Sequence, residues 1–256
     1  MLIKHTLNER VQITGTTIAE QFEGAKGIVE TYIIPLMTQY DNISYIGAYE
    51  SGTSKKYVID IGLEHIAMCL YLNNVKLIFG LCKKSDVDSL EYLVCQPSYS
   101  VAGGFVSMPY VKEQLVCYST ISALFYMVVH GNEAKVLFNI CPEGTTPLFN
   151  VIIDVDNFGK KYAGISTPQA YPTIYYDKEM PVVGYCDSTT ISNVRDGYVT
   201  MQKIILKENS IVQGISSENM LLMRNDILST NSLLQIDVEG NRYIQFENYF
   251  WYKVDE

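Results

Sequence analysis

Three histidines and six cysteines are the residues of this chain best suited to metal or nucleophilic chemistry. His65 and Cys69 stand four apart, which would let both reach one ion if the segment were helical. The stretch "EHIAMCLYL" is patterned as a strand, where residues four apart share a face but lie about 13 Å from each other. His5 falls on the apolar side of the first alternating run, as a core or interface histidine. His130 falls in an expected solvated turn, "HGNE". None of Cys69, Cys82, Cys95, Cys117, Cys141 and Cys186 forms a CxxC pair. Cys69, Cys95, Cys117 and Cys186 sit in apolar runs such as "IAMCLYL" and "LVCYSTI", which predicts buried free thiols and folding in a reducing cytoplasm. Neither a metal nor a cofactor is implied.

Carboxylates offer a second chemistry. Asp60, Glu64, Asp154 and Asp156 are candidates for the paired acids of glycoside hydrolysis, which need only converge in space. The segment "DVDNFG" also imitates a calcium loop, with Asp154, Asp156 and Gly159 in the first, third and sixth places. Phe158 then takes the fifth place and Ile165 the twelfth, where a bidentate Glu belongs, so a tight turn after a strand is the better reading. There is no G-x-S-x-G elbow, and "VAGGF" lacks the lysine of a phosphate loop. The chain is therefore expected not to be an enzyme.

The elements that would carry these residues are mostly strands. Positions 3 to 13 alternate apolar and polar, the mark of a half-buried strand or hairpin. "TIAEQFEGAKG" follows, with Thr17 and Glu20 as a capping box and Ile18, Phe22 and Ala25 on one face, so a short helix is expected near 17–26, closed by Gly27. Beyond it, "IVETYIIPLM", "NISYIGAY" and "KYVIDIG" read as strands. Hairpins are expected around Asn73-Asn74 and at "HGNE". "SDVDSLEYL" is a helical turn capped by Ser85, or a loop. Three stretches look alike, "YLNNVKLIFG", "VHGNEAKVLFN" and "VEGNRYIQFEN", as hairpin chemistry or a duplicated unit would produce. Pro168, Pro172 and Pro181 mark a break. The expected organisation is an N-terminal mainly-β domain at 1–160, a Pro-containing linker or loop at 161–181, and a C-terminal β domain at 182–256. The fold class is mainly β, antiparallel sandwich or barrel-like sheets with one short N-terminal helix.

Bulk properties narrow the partners. Among 256 residues, 48% are hydrophobic and 18% charged, and 19 basic against 28 acidic side chains leave a net charge of −9. An acidic surface repels phosphate backbones, so no nucleic acid is expected. The pairs Lys55-Lys56, Lys83-Lys84 and Lys160-Lys161 read as solvated turns. No apolar run reaches eighteen residues, so no membrane insertion is expected, and "MLIKHTLNER" is not a secretory signal. Twenty tyrosines are the positive signal. Tyrosine pairs an apolar ring with a polar tip, which suits interfaces and glycan-binding surfaces, and it also simply packs well in strands.

The ending "LLQIDVEGNRYIQFENYFWYKVDE" gathers the sole tryptophan with several tyrosines. It predicts two or three antiparallel strands over 233–254, turning at Gly240-Asn241 and near Glu247-Asn248, with Ile236, Val238, Ile244 and Phe246 on one apolar face. Through Asp237, Gly240, Arg242, Tyr243, Asn248 and Tyr249 this hairpin resembles the endings of tailed-bacteriophage virion structural proteins. The resemblance implies a non-enzymatic virion component of the tail, neck or baseplate, a homo-oligomer that also contacts other virion proteins and is made and folded in the host cytoplasm. Tyr243, Tyr249, Phe250, Trp251 and Tyr252 are the expected interface. The alternatives are a receptor- or glycan-binding module on such a particle, with a glycan or host receptor as partner, and a polysaccharide hydrolase.

Overall fold

The computed structural model describes residues 9–11, 15–38, 43–95, 99–100, 105–107, 114–118, 124–132, 135–142, 149–165, 173–187, 202–217, 220–222, 235–246 and 250–254. Along the chain the strands are β1 (Glu9–Val11), β2 (Ser44–Ser51), β3 (Ser54–Asp60), β4 (Ile66–Asn73), β5 (Lys76–Lys83), β6 (Val94–Cys95), β7 (Tyr99–Ser100), β8 (Phe105–Ser107), β9 (Gln114–Tyr118), β10 (Leu124–Asn132), β11 (Lys135–Pro142), β12 (Phe149–Val155), β13 (Lys161–Ile165), β14 (Thr173–Tyr176), β15 (Val182–Asp187), β16 (Gln202–Lys203), β17 (Ile205–Glu208), β18 (Ile211–Ile215), β19 (Met220–Leu222), β20 (Gln235–Val238), β21 (Asn241–Phe246) and β22 (Phe250–Val254). They form three antiparallel sheets among the described residues. Six strands lie in the order β2-β3-β4-β5-β6 with β7 against β5, eleven run from β1 through β8–β15 to β17 and β18, and five follow the order β16-β19-β22-β21-β20. The protein is mainly β, as its patterning predicts.

The helix begins where expected. Thr17 Oγ1 accepts from the Glu20 N–H at 3.2 Å, and the Glu20 carboxylate accepts from the Thr17 N–H at 3.0 Å. This reciprocal box opens α1 (Ile18–Ile28). Phe22, Ala25 and Ile28 face the core, whereas Ile18, expected beside them, is exposed. Gly27 does not close the helix. The chain continues through a π-helical turn, Val29–Ile33, into α2 (Ile34–Met37), so "IVETYIIPLM" is helical and not a strand. Its β-branched residues are good strand formers, but the buried positions Phe22, Ala25, Val29, Ile33 and Met37 recur at helical spacing and tertiary burial decides. Pro35 is the second residue of α2, directly after the π-helical turn that interrupts the ordinary helical ladder.

One core joins two sheets to this helix. Tyr57 and Ile59 of β3, Met68 and Leu70 of β4, and Leu77, Phe79 and Leu81 of β5 pack with the helix and with Val151, Ile153, Ala163, Ile165 and Tyr175 of the long sheet. The alternate residues Val58, Ala67, Cys69 and Cys82 form a second cluster on the opposite face, under Val87. Both faces of β3–β5 are thus covered, which accounts for their nearly continuous apolar sequences. Each such side chain contributes about 1.5–3 kcal/mol on burial. Lys56, expected on a solvated turn, lies on the second face and is 0% exposed.

Two further expectations change. The stretch 161–181, read as a linker or loop, contains β13 and β14, which stand between β12 and β15 in the long sheet. Pro168 and Pro172 lie outside the described residues, while "KYAGI" and "TIYY" on either side supply good strand sequences. At the end of the chain the predicted antiparallel strands form, but the turn is Glu239-Gly240, both with positive φ (52° and 79°). Val238 therefore pairs with Asn241 and Ile236 with Tyr243, while Gln235 pairs with Ile244. A two-residue turn sets even positions of one strand opposite odd positions of the next, so Ile236 and Val238 do not line up with Ile244 and Phe246. The second predicted turn lies outside the described residues. The three look-alike stretches form the hairpins β4–β5, β10–β11 and β20–β21, one in each sheet. His130, expected in the second turn, sits within β10 opposite Leu137.

Candidate functional site

A cleft of about 680 Å³ opens at the rim where the six-stranded sheet meets the long sheet. Three chain segments build it. The first is the turn after β3, where Asp60 Oδ1 accepts from the Gly62 N–H at 2.9 Å and Gly62 takes a φ of 75°. That conformation favours glycine. Leu63 beside it is buried and anchors the turn to the core. Lys84, just past β5, donates its backbone N–H to the His65 carbonyl at 2.9 Å and its Nζ to Asp60 Oδ2 at 2.8 Å.

The second segment is the turn between β12 and β13. Asp156 Oδ1 accepts from the Phe158 and Lys160 N–H groups at 2.8 and 2.9 Å, and Gly159 takes a φ of 76°. Asn157 ties the turn to β18, its N–H reaching the Ile215 carbonyl at 2.9 Å and its Oδ1 accepting from the Ile215 N–H at 2.7 Å. This is the tight turn expected from "DVDNFG", and it presents Gly159 and Lys160 to the cleft.

The third segment follows β14. The Asp177 carboxylate accepts from the backbone N–H groups of Glu64 and His65, the latter at 2.8 Å. Lys161 Nζ reaches the Gly62 carbonyl at 3.3 Å. Two turns from different sheets are therefore clamped together by one carboxylate, and Lys178 follows directly on it.

The predicted acids are divided by this geometry. Asp60 and Glu64 line the cleft, and Asp60 is held by Lys84 and the Gly62 N–H. Asp154 and Asp156 are buried outside it. Asp154 Oδ2 accepts from Ser217 Oγ at 2.6 Å, and Asp156 organises its own turn. His65 lies just before β4 and Cys69 is buried within it, and among the described residues no group of three or more His, Cys, Asp or Glu is placed to hold a metal ion. His65 Nε2 lies 3.8 Å from Glu64 Oε2. His5 lies outside the described residues. The clamp by Asp177 had no signal in the sequence, because its partners are more than a hundred residues away and are backbone groups.

Two of the residues expected at an interface are buried. Trp251 is 0% exposed and Tyr243 6% exposed within the single chain, so both belong to its core and neither presents a surface. Trp251 stands between Gln245 and Leu221 in the five-stranded sheet. Tyr249 lies outside the described residues, and only the backbone of Phe250 and Tyr252 is described. Large apolar side chains are exposed on β15 and β18, at the end of the long sheet among the described residues. Tyr185 is 49% exposed, Val212 56% and Ile211 65%, with Val183 and Ile215 also exposed. Lys207 pairs with both Tyr185 and Val212, which sets these three in one row across β15, β17 and β18.

Comparison of the chain with family models, characterised proteins and solved structures returns no match. No helix among the described residues is long and apolar enough to cross a membrane.

Proposed function

We propose that this chain is a non-enzymatic structural component of a tailed-phage virion, in the tail, neck or baseplate, working through contacts with further copies of itself and with other virion proteins. One observation supports the assembly part of this reading: exposed Tyr185 of β15 and Val212 of β18 stand in one row with half-buried Lys207 of β17 between them, and Ile211 is exposed on β18, the end strand of the eleven-stranded sheet among the described residues. An end strand bearing apolar side chains is a template for pairing, and folded monomers normally blunt it with charge or proline. The virion setting rests on the terminal hairpin with Asp237, Gly240, Arg242 and Tyr243, and it carries folding in the host cytoplasm with it.

The test joins mass spectrometry of purified virions with sizing of the isolated chain. Association that weakens in Val212→Lys or Tyr185→Ser variants that still melt cooperatively supports the reading. A chain that is monomeric at every concentration and missing from particles overturns it. The polar cleft favours a second reading, a module that binds a glycan or host receptor on the same particle. Depolymerisation of a polysaccharide with multiple turnovers would replace both readings by a hydrolase.

A further inference from the structure

We propose that the rim cleft binds a small ligand through an oxyanion, a carboxylate or a phosphate group. The proposal stands independently of the assembly reading. The chain carries a net charge of −9, yet Lys84, Lys160, Lys161 and Lys178 all line this one concavity, against Asp60, Glu64 and Asp177. Asp60 is already neutralised by Lys84 at 2.8 Å. The carboxylate of Asp177 is turned to two backbone N–H groups. That leaves the ammonium groups of Lys160, Lys161 and Lys178 facing the exposed carboxylate of Glu64, and four lysines against three carboxylates give the lining a net charge of +1 on a chain of net −9. Among the described residues Lys160 and Lys178 have no ion-pair partner, and Lys161 has a single contact with a carbonyl at 3.3 Å.

An ammonium group carries three donors, so most of the donor capacity around the cleft is unspent. Like charges on one rim repel each other, and an anion between them relieves that repulsion. The lysine backbones are fixed beforehand. Lys160 donates its N–H to Asp156 Oδ1 at 2.9 Å, and Lys178 adjoins the Asp177 clamp. Such preorganisation lowers the ordering cost of binding. A volume of about 680 Å³ falls in the range of small-molecule sites. The acidic remainder of the surface repels a long polyanion, so a nucleic-acid backbone is disfavoured and a compact ligand with one or two negative charges is admitted.

Calorimetry of the full chain at low ionic strength, with inorganic phosphate in one arm and D-glucuronate in the other, tests this. Saturable binding is expected for at least one probe, and the tighter arm identifies phosphate or carboxylate as the group recognised. Raising salt to about 0.5 M should weaken it, because exposed charges are then screened within a few ångströms. The Lys160→Gln/Lys178→Gln variant should bind at least about five-fold more weakly. Lys76→Gln, at an exposed lysine of β5 outside the cleft, should bind as the parent does. Both lysines of the double variant are exposed, so its melt should be unchanged; if it does not fold, Lys161→Gln in the same titration replaces it. Absence of saturation with both probes, equal binding by the folded variant, or equal binding of uncharged D-glucose would each overturn the proposal.

Discussion

The ammonium group of Lys56 donates to the carbonyl of Glu91 at 2.7 Å, across thirty-five residues of sequence. It also donates to the carbonyl of Asp86. A buried cation thereby holds down the 84–93 segment, which covers the second face of β3–β5. Val87 packs there, and the Leu93 N–H reaches the Leu81 carbonyl at 2.7 Å. Burying an ammonium is costly unless its donors are satisfied. Lys56→Met should leave two carbonyls without their donor and destabilise the protein by about 1–3 kcal/mol in urea unfolding. Lys76→Met, at an exposed site, should have little effect. A Lys56→Met protein as stable as the parent would show that the segment is held by packing alone.

Beneath that segment lie the thiols. Cys69 and Cys82 are buried and Cys95 is half-buried, all three free. Gly80 stands between Cys69 and Cys95 in the register, and a Cβ there would meet the Val94 carbonyl at 2.7 Å and Cys69 Sγ at 2.9 Å. The hydrogen bond with Cys82, and then burial, push the Cys69 thiol well above its ordinary range. The thiolate is the reactive form, so Cys69 should label slowly in the native state. Peptide mapping after alkylation should find Cys95 modified before Cys69 and Cys82, and Lys56→Met should speed all three. Rapid labelling of Cys69 in the folded parent would contradict the closed segment.

How much of this was legible follows from where each signal is stored. The capping box of Thr17 and Glu20 and the hairpin of β4 and β5 are local, and the sequence shows them directly. The helix through Val29–Met37 is hidden in the sequence because β-branched residues favour a strand and Pro35 argues against a helix interior, while the evidence for a helix is a buried stripe that depends on the sheet opposite. The burial of Lys56 leaves no local trace, since nothing beside it in sequence announces the carbonyls of Asp86 and Glu91. The cleft is the extreme case. The sequence offers Asp60 and Glu64 as candidate paired acids and Lys160-Lys161 as a charged pair in a turn, but only the fold brings them together with Asp177 and Lys178.

Acid should weaken the start of α1. Hydrogen bonds from the Thr17 backbone, then from Thr16, lower the Glu20 carboxyl to about 2 from an ordinary 4.5. A folded-state value below the unfolded one means that Glu20 stabilises the fold above about pH 4.5 and that this is lost as pH falls through 2. Urea midpoints of the parent and Glu20→Gln should therefore differ most near neutrality and converge toward pH 2. A constant gap would show that the box acts without its charge.

Gly214 offers a packing test close to the cleft. A Cβ there would come within 2.6 Å of Asp156 Oδ2, and that carboxylate is fixed by two N–H donors to its other oxygen. Gly214→Ala should cost about 1–3 kcal/mol as an overpacked site and displace the 156–160 turn. Weaker binding of the anion probe should accompany the loss. Unchanged stability would mean that the turn yields freely.

Trp251 is the chain's sole tryptophan. It is fully buried in the single chain, and its strand is held between β19 and β21. An interface tryptophan would be exposed in the monomer and its removal would spare the monomer's melt. A core tryptophan cut to alanine costs about 3–5 kcal/mol, much of a domain's stability. Trp251→Ala should therefore lower or abolish the cooperative thermal transition of the isolated chain. Deletion after Phe246 removes all of β22, leaving β19 and β21 without the strand that joins them, and should act more severely. A Trp251→Ala protein that melts like the parent but fails to enter particles would return the residue to the interface. A variant that both melts and assembles normally would deny the C-terminal strands any part in holding the fold.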